Sequence, residues 1–158
     1  MRGANLNIFD KKSSDYDAWY DKNKFIFLSE AVAIKKAIPA KGRGVEIGAG
    51  TGRFTKALGI REGVDISSNM LKIAAKRGIK TKKASAYSLP YKTGSFDYAL
   101  LIVTLCFLKH PLKALTEARR VLKPKGIVII GIIDRNSRIG RKCKNKKSIY
   151  YKEAVFYT

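Results

Sequence analysis

Residues 45 to 52 read Val45-Glu46-Ile47-Gly48-Ala49-Gly50-Thr51-Gly52, a short apolar run closed by three alternating glycines. Glycines at 48, 50 and 52 let the backbone turn tightly and approach a ligand with no side chain in the way. The run before them has the length of a strand, and Arg53 to Leu58 after them reads as a helix. A strand, a glycine turn and a helix form the first unit of an α/β domain.

Moving toward the C-terminus, the same alternation repeats. Gly63 to Asp65, Ile79 to Lys83, Phe96 to Val103 and Ile127 to Ile133 read as strands, and Ser68 to Arg77 and Pro111 to Leu122 as helices. With Val45 to Ile47 this makes five strands, and strands alternating with helices imply right-handed crossovers and a parallel sheet covered on both faces. Ala99 to Val103 and Ile127 to Ile133 are nearly continuous apolar runs, which suits strands buried on both sides. Lys123-Pro124-Lys125-Gly126 reads as a turn between the last helix and the last strand.

Moving toward the N-terminus, Lys12 to Ala37 reads as helical, with Ser13 or Ser14 and Asp15 as the cap, Phe25, Leu28, Val32 and Ala33 at helical spacing, and Pro39 beyond the end. The expected organisation is a single domain over 1–158. It divides into an N-terminal helical segment over 1–40, a cofactor-binding core over 41–134 and a basic and aromatic tail over 135–158.

The bulk properties agree. A chain of 158 residues that is 46% hydrophobic can bury a real core. Its two cysteines, Cys106 and Cys143, make neither a metal pair nor a disulfide framework, so no metal site is expected. The longest apolar stretch, Tyr98 to Leu108, is too short to span a bilayer, and Met1 to Asp10 lacks a signal-peptide core. A cytoplasmic protein with no membrane span is the resulting expectation. With 33 Lys and Arg against 12 Asp and Glu, the net charge of +21 attracts polyanions or serves solubility.

The chemistry turns on two acids. Glu46 lies two residues before Gly48, at the strand's carboxyl end, where a carboxylate repels a pyrophosphate but suits an ammonium or sulfonium. Asp65 ends the next strand and can accept hydrogen bonds from two ribose hydroxyls. The nicotinamide fingerprint needs a third glycine where this chain has Arg53. A cation containing a nucleoside fits both acids.

At these residues the chain resembles the class I S-adenosylmethionine-dependent methyltransferases, in particular the group that methylates quinones and other small molecules. The resemblance runs from about Tyr16 to Asp134. It is carried by Val45 to Phe54, Gly63-Val64-Asp65-Ile66-Ser67, Ser88-Leu89-Pro90-Tyr91, Ser95-Phe96-Asp97-Tyr98-Ala99 and Ala118 to Gly126, five blocks in order. It implies a Rossmann-like doubly wound sheet in the order 3-2-1-4-5 and S-adenosylmethionine as cofactor. Glu46, Gly48, Ala49, Gly50 and Gly52 would surround the methionine part, and Asp65 and Ile66 would hold ribose and adenine. Met70 would cover the adenine face, Ser85 and Ala86 would lie at its amino edge, and Val103 and Thr104 beside the transferable methyl. Ser85 stands where the family usually has an aspartate, and a neutral acceptor is weaker than a carboxylate.

Methyl transfer needs alignment of nucleophile and methyl more than it needs a base. The candidates for a base are His110, which also suits a cap before Pro111, and Tyr20. Tyr16, Trp19 and Tyr20 offer aromatic faces to a substrate or pack the N-terminal helix, and Cys106 suits a buried hydrophobe. The helix and antiparallel strand pair that usually end such enzymes have no counterpart here, which leaves the fifth strand as a sheet edge open to pairing in a homodimer. A small-molecule acceptor is the leading expectation. The alternative is a catalytically degenerate fold that binds RNA through the basic tail of Arg135, Arg138, Arg141, Lys142, Lys144, Lys146 and Lys147.

Overall fold

The computed structural model of the chain describes residues 6–145, 149–152 and 154–158. Its centre is one sheet of five strands: β1 (Gly44–Ile47), β2 (Glu62–Asp65), β3 (Lys80–Lys83), β4 (Phe96–Ile102) and β5 (Leu122–Gly131). They lie in the order β3-β2-β1-β4-β5, and every pairing is parallel. That is the doubly wound order the family resemblance implies.

Helices cover both faces. The N-terminal part forms α1 (Leu6–Lys11), α2 (Ser13–Lys22) and α3 (Lys24–Ala37), followed by α4 (Arg53–Ala57), α5 (Ser68–Lys76), α6 (Pro111–Val121) and α7 (Arg138–Asn145). Alternation along β4 explains its unbroken apolar run. Tyr98, Leu100 and Ile102 join Tyr20, Ala31, Phe54 and Leu58 on one face, while Ala99 and Leu101 join Val45, Ile47, Val64, Ala118 and Val121 on the other. Each fully buried side chain of this kind contributes about 1.5–3 kcal/mol of transfer free energy. Ser67 caps α5 by accepting the Met70 N–H at 3.1 Å, and Pro111 opens α6.

Three sequence expectations change. The helical stripe of Phe25, Leu28, Val32 and Ala33 faces solvent, with Phe25 83% and Val32 60% exposed, while Phe27, Ala31 and Ile34 face the core. Helix α3 is apolar on both sides, so spacing alone does not choose the inner one. Ser13 and Ser14 lie inside α2 and Lys12 occupies its cap position, with no side-chain cap bond. Lys123 to Gly126 is not a turn but an irregularity inside β5, where pairing moves from Phe96↔Leu122 to Tyr98↔Ile127. Pro124 has no N–H to give the ladder, so the strand bulges around it and pairing resumes at Ile127.

β5 is the terminal strand of the sheet, with Ile127 and Ile130 exposed. Of the basic tail, Arg138, Arg141 and Lys142 are exposed on α7, whereas Lys146 and Lys147 lie outside the described residues. Among the described residues no helix is long and apolar enough to cross a membrane.

Candidate functional site

The carboxyl ends of β1, β2 and β4 meet at the point where the strand order reverses, the place where open α/β sheets leave a crevice. A cavity of about 310 Å3 opens there.

Its floor is the glycine loop. Gly48 and Gly50 have φ of 76° and 53°, a left-handed backbone that favours glycine. The Gly48 and Ala49 N–H groups donate to the Val64 carbonyl at 2.7 and 2.9 Å, which ties the loop to β2. Gly50 N–H donates to Asp65 Oδ2 and Ser67 N–H to Asp65 Oδ1, each at 2.9 Å. Burial pushes the Asp65 carboxyl above its usual range, and the N–H bonds from Ser67 and Gly50 work against that shift. Each carboxylate oxygen keeps a lone-pair site for a ligand hydroxyl.

Nine of the twelve residues expected at the cofactor line this cavity: Gly48, Gly50, Asp65, Ile66, Met70, Ser85, Ala86, Val103 and Thr104. Glu46, Ala49 and Gly52 do not. Val45 and Ile47 point to one face of the sheet, so alternation turns Glu46 to the other, where it is 2% exposed and accepts the Thr55 hydroxyl at 2.5 Å. Burial raises its carboxyl to about 8 despite that bond. Ala49 packs where a Cβ on Gly63 would stand, and Gly52 lies against Ala74 and Ile79 of the α5 layer. These residues shape the loop from behind. Ser85 Oγ accepts the Tyr87 N–H at 3.2 Å and closes a local turn at the cavity wall.

Neither base candidate reaches the cavity. His110 is exposed, with its backbone N–H donating to the Tyr87 hydroxyl at 3.1 Å, and its side chain makes no cap bond. Tyr20 is buried among Phe27 and Phe54, and its hydroxyl meets that of Tyr16 at 3.2 Å. Trp19 is exposed on α2, and Cys106 is buried.

Of the lid, sequence reasoning singled out Tyr16 and missed Phe9, Phe107, Leu108 and Lys109. Phe9, Tyr16, Phe107, Leu108 and Lys109 also line the cavity. Phe9 stands 5.5 Å from Tyr16 and 4.9 Å from Phe107, ring centre to ring centre, and Tyr150 backs both Phe9 and Tyr16. Two charged clamps hold the lid down. Asp10 accepts the Ser67 hydroxyl at 2.7 Å and the Asn69 N–H at 3.0 Å. Arg53 donates to both oxygens of Asp17 at 2.9 and 3.0 Å and to both of Asp21 at 2.7 and 2.8 Å, while Arg77 joins Asp17 at 2.7 Å and the Thr51 carbonyl at 2.9 Å. Burial works to raise the Asp17 carboxyl, but bonds from Arg53, Thr51 and Arg77 overcome it and hold it at about 2. The residue that breaks the nicotinamide fingerprint is thus a brace between the glycine-loop helix and the lid.

A parallel sheet with a glycine loop, an acidic residue ending β2 and an aromatic lid defines a Rossmann-like methyltransferase fold. Residues 45–130 match the methyltransferase domain family, and the chain belongs to that family. It is 51% identical to an uncharacterized protein of Methanocaldococcus jannaschii over 96% of its own length and 74% of the other's. It is 31% identical to the demethylmenaquinone methyltransferase of Staphylococcus aureus, over 77% of its own length and 57% of that enzyme. Among solved structures it is similar to an S-adenosylmethionine-dependent methyltransferase of Thermotoga maritima, described as a possible histamine N-methyltransferase. The TM-score is 0.92 and the identity 47%, with 96% of this chain and 74% of that one covered.

Proposed function

We propose that this protein binds S-adenosylmethionine in the cavity between glycine loop and lid and transfers its methyl group to a small-molecule acceptor. The observation that carries the reading is Asp65: its carboxylate is fixed by two backbone N–H groups and lines the cavity beside a loop that presents bare backbone. The donor set fits the group. Asp65 suits two neighbouring ribose hydroxyls, Ile66, Met70 and Ala86 suit a flat base, and Gly48 and Gly50 admit the amino-acid part closely. Bound S-adenosylmethionine supplies a methyl on positively charged sulfur.

The chain's own residues do the rest by position. Val103 and Thr104 form the wall where the sheet ends, and Phe9, Tyr16, Phe107 and Leu108 keep water from the transfer side. An aromatic lid over a cavity of about 310 Å3 suits a small acceptor better than a polymer. Neither His110 nor Tyr20 reaches the cavity, so neither serves as a base for the acceptor's proton.

Thermal-shift and calorimetric titration with S-adenosylhomocysteine, S-adenosylmethionine and the nicotinamide dinucleotides tests the reading. The two adenosyl ligands raise the melting temperature and the dinucleotides do not. Asp65→Asn weakens S-adenosylhomocysteine by roughly 10- to 100-fold, the worth of a hydrogen bond to a charged group. No shift with either adenosyl ligand overturns it.

A further inference from the structure

Val103 follows β4 directly and lines the cavity. Its φ is 52°, the one positive value among described residues other than glycine. That region is open to glycine and tolerated by asparagine, but it crowds a β-branched side chain. The surroundings impose it. Val103 N–H donates to the Gly131 carbonyl at 2.8 Å, and the Cys106 thiol donates to the Val103 carbonyl at 3.3 Å.

The bend delivers Thr104 to the glycine loop. Thr104 Oγ1 donates toward the Ile47 carbonyl at 3.2 Å and the Ile102 carbonyl at 3.1 Å. Its side chain also fills the space a Cβ on Gly48 would need, only 2.5 Å away. An extended Val103 would carry Thr104 off the end of the sheet and away from Gly48. Strained backbone of this kind persists where the surrounding structure over-determines it, and it collects at functional sites.

We propose that Val103 is a positioning residue: its left-handed backbone, held under strain, keeps Thr104 wedged against Gly48 and so fixes the glycine loop relative to the wall on the transfer side. The functional consequence rests on the cavity being the cofactor site; the wedge itself does not.

Val103→Gly and Val103→Ala, made side by side, test it. Both lose the valine branches, and at an ordinary position alanine is the more stable replacement. Here the order inverts, with the glycine variant melting roughly 2–4 °C above the alanine variant. Val103→Gly keeps the bend and relieves its strain, so Thr104 stays in place, whereas in ligand-free Thr104→Ala the wedge is gone and the Gly48, Ala49 and Gly50 amides exchange about tenfold faster than in the wild type. Val103→Ile keeps the branched side chain and holds that exchange within about twofold of wild type. Affinity for S-adenosylhomocysteine drops in Thr104→Ala along with the loss of the wedge. An alanine variant as stable as the glycine one, or unchanged exchange at Gly48 to Gly50 in Thr104→Ala, overturns the proposal. A wild type that ignores S-adenosylhomocysteine overturns the cofactor reading instead, and the melting order and exchange still judge the wedge.

Discussion

The floor of the cavity is held by local bonds of its own backbone: the N–H groups of Gly48, Ala49 and Gly50 donate to the Val64 carbonyl and the Asp65 carboxylate of the neighbouring strand. The lid is held by side chains reaching across the fold, Asp10 to Ser67 and Asn69, Arg53 and Arg77 to Asp17. Backbone bonds between sheet neighbours follow from the fold and open only when it opens. Charged clamps at the surface are weaker and separable, so the lid can loosen while the floor stays intact.

Breaking the floor has the largest effect. Gly48→Ala puts a Cβ into the Thr104 side chain at a left-handed position, and it destabilises the protein by about 2–4 kcal/mol in a urea titration and removes ligand binding. Breaking the stronger lid clamp comes next. Arg53→Ala costs roughly 1–3 kcal/mol, because Asp17 keeps only Arg77 and Thr51, and it speeds S-adenosylhomocysteine dissociation while leaving exchange at Gly48 and Ala49 close to wild type.

The third test uses acid and base. The Glu46 carboxyl is raised to about 8 by burial, so between its ordinary value of 4.5 and about 8 the unfolded chain loses its proton while the folded one keeps it. Stability therefore falls as pH rises through that window, and Glu46→Gln flattens the slope in melting curves taken from pH 5 to about 8. Asp17 has the opposite sign: its contribution is present above 3.8 and is lost as pH falls through about 2. The smallest effect is at the outer clamp. Asp10→Asn leaves the melting temperature nearly unchanged and raises proteolytic cleavage around residues 9–16 a few-fold in ligand-free protein.

The same division governs what the sequence reveals. The floor is legible because a glycine triplet, a strand before it and an acid ending the next strand are local patterns with a physical meaning. That the five strands are parallel follows from their alternation with helices, and their order from the family resemblance. Of the lid, Tyr16 is legible as an N-terminal aromatic, but its clamps are not, because Arg53 and Asp17 stand 36 residues apart and Asp10 and Ser67 stand 57 apart, with no periodicity linking them. Helix α3 misleads for a different reason: Phe25, Leu28 and Val32 outside match Phe27, Ala31 and Ile34 inside in hydrophobicity. Glu46 was found as an acid of the right position, but only the alternation of β1 shows that it faces Thr55 rather than the cavity.

The central claim is that floor and lid close on one adenosyl ligand. Hydrogen–deuterium exchange of the wild type with and without S-adenosylhomocysteine tests it directly. The account predicts protection at Gly48 to Gly50 and at Phe9 to Tyr16 together, with little change in α7. Protection of neither segment, or of the tail alone, would contradict it.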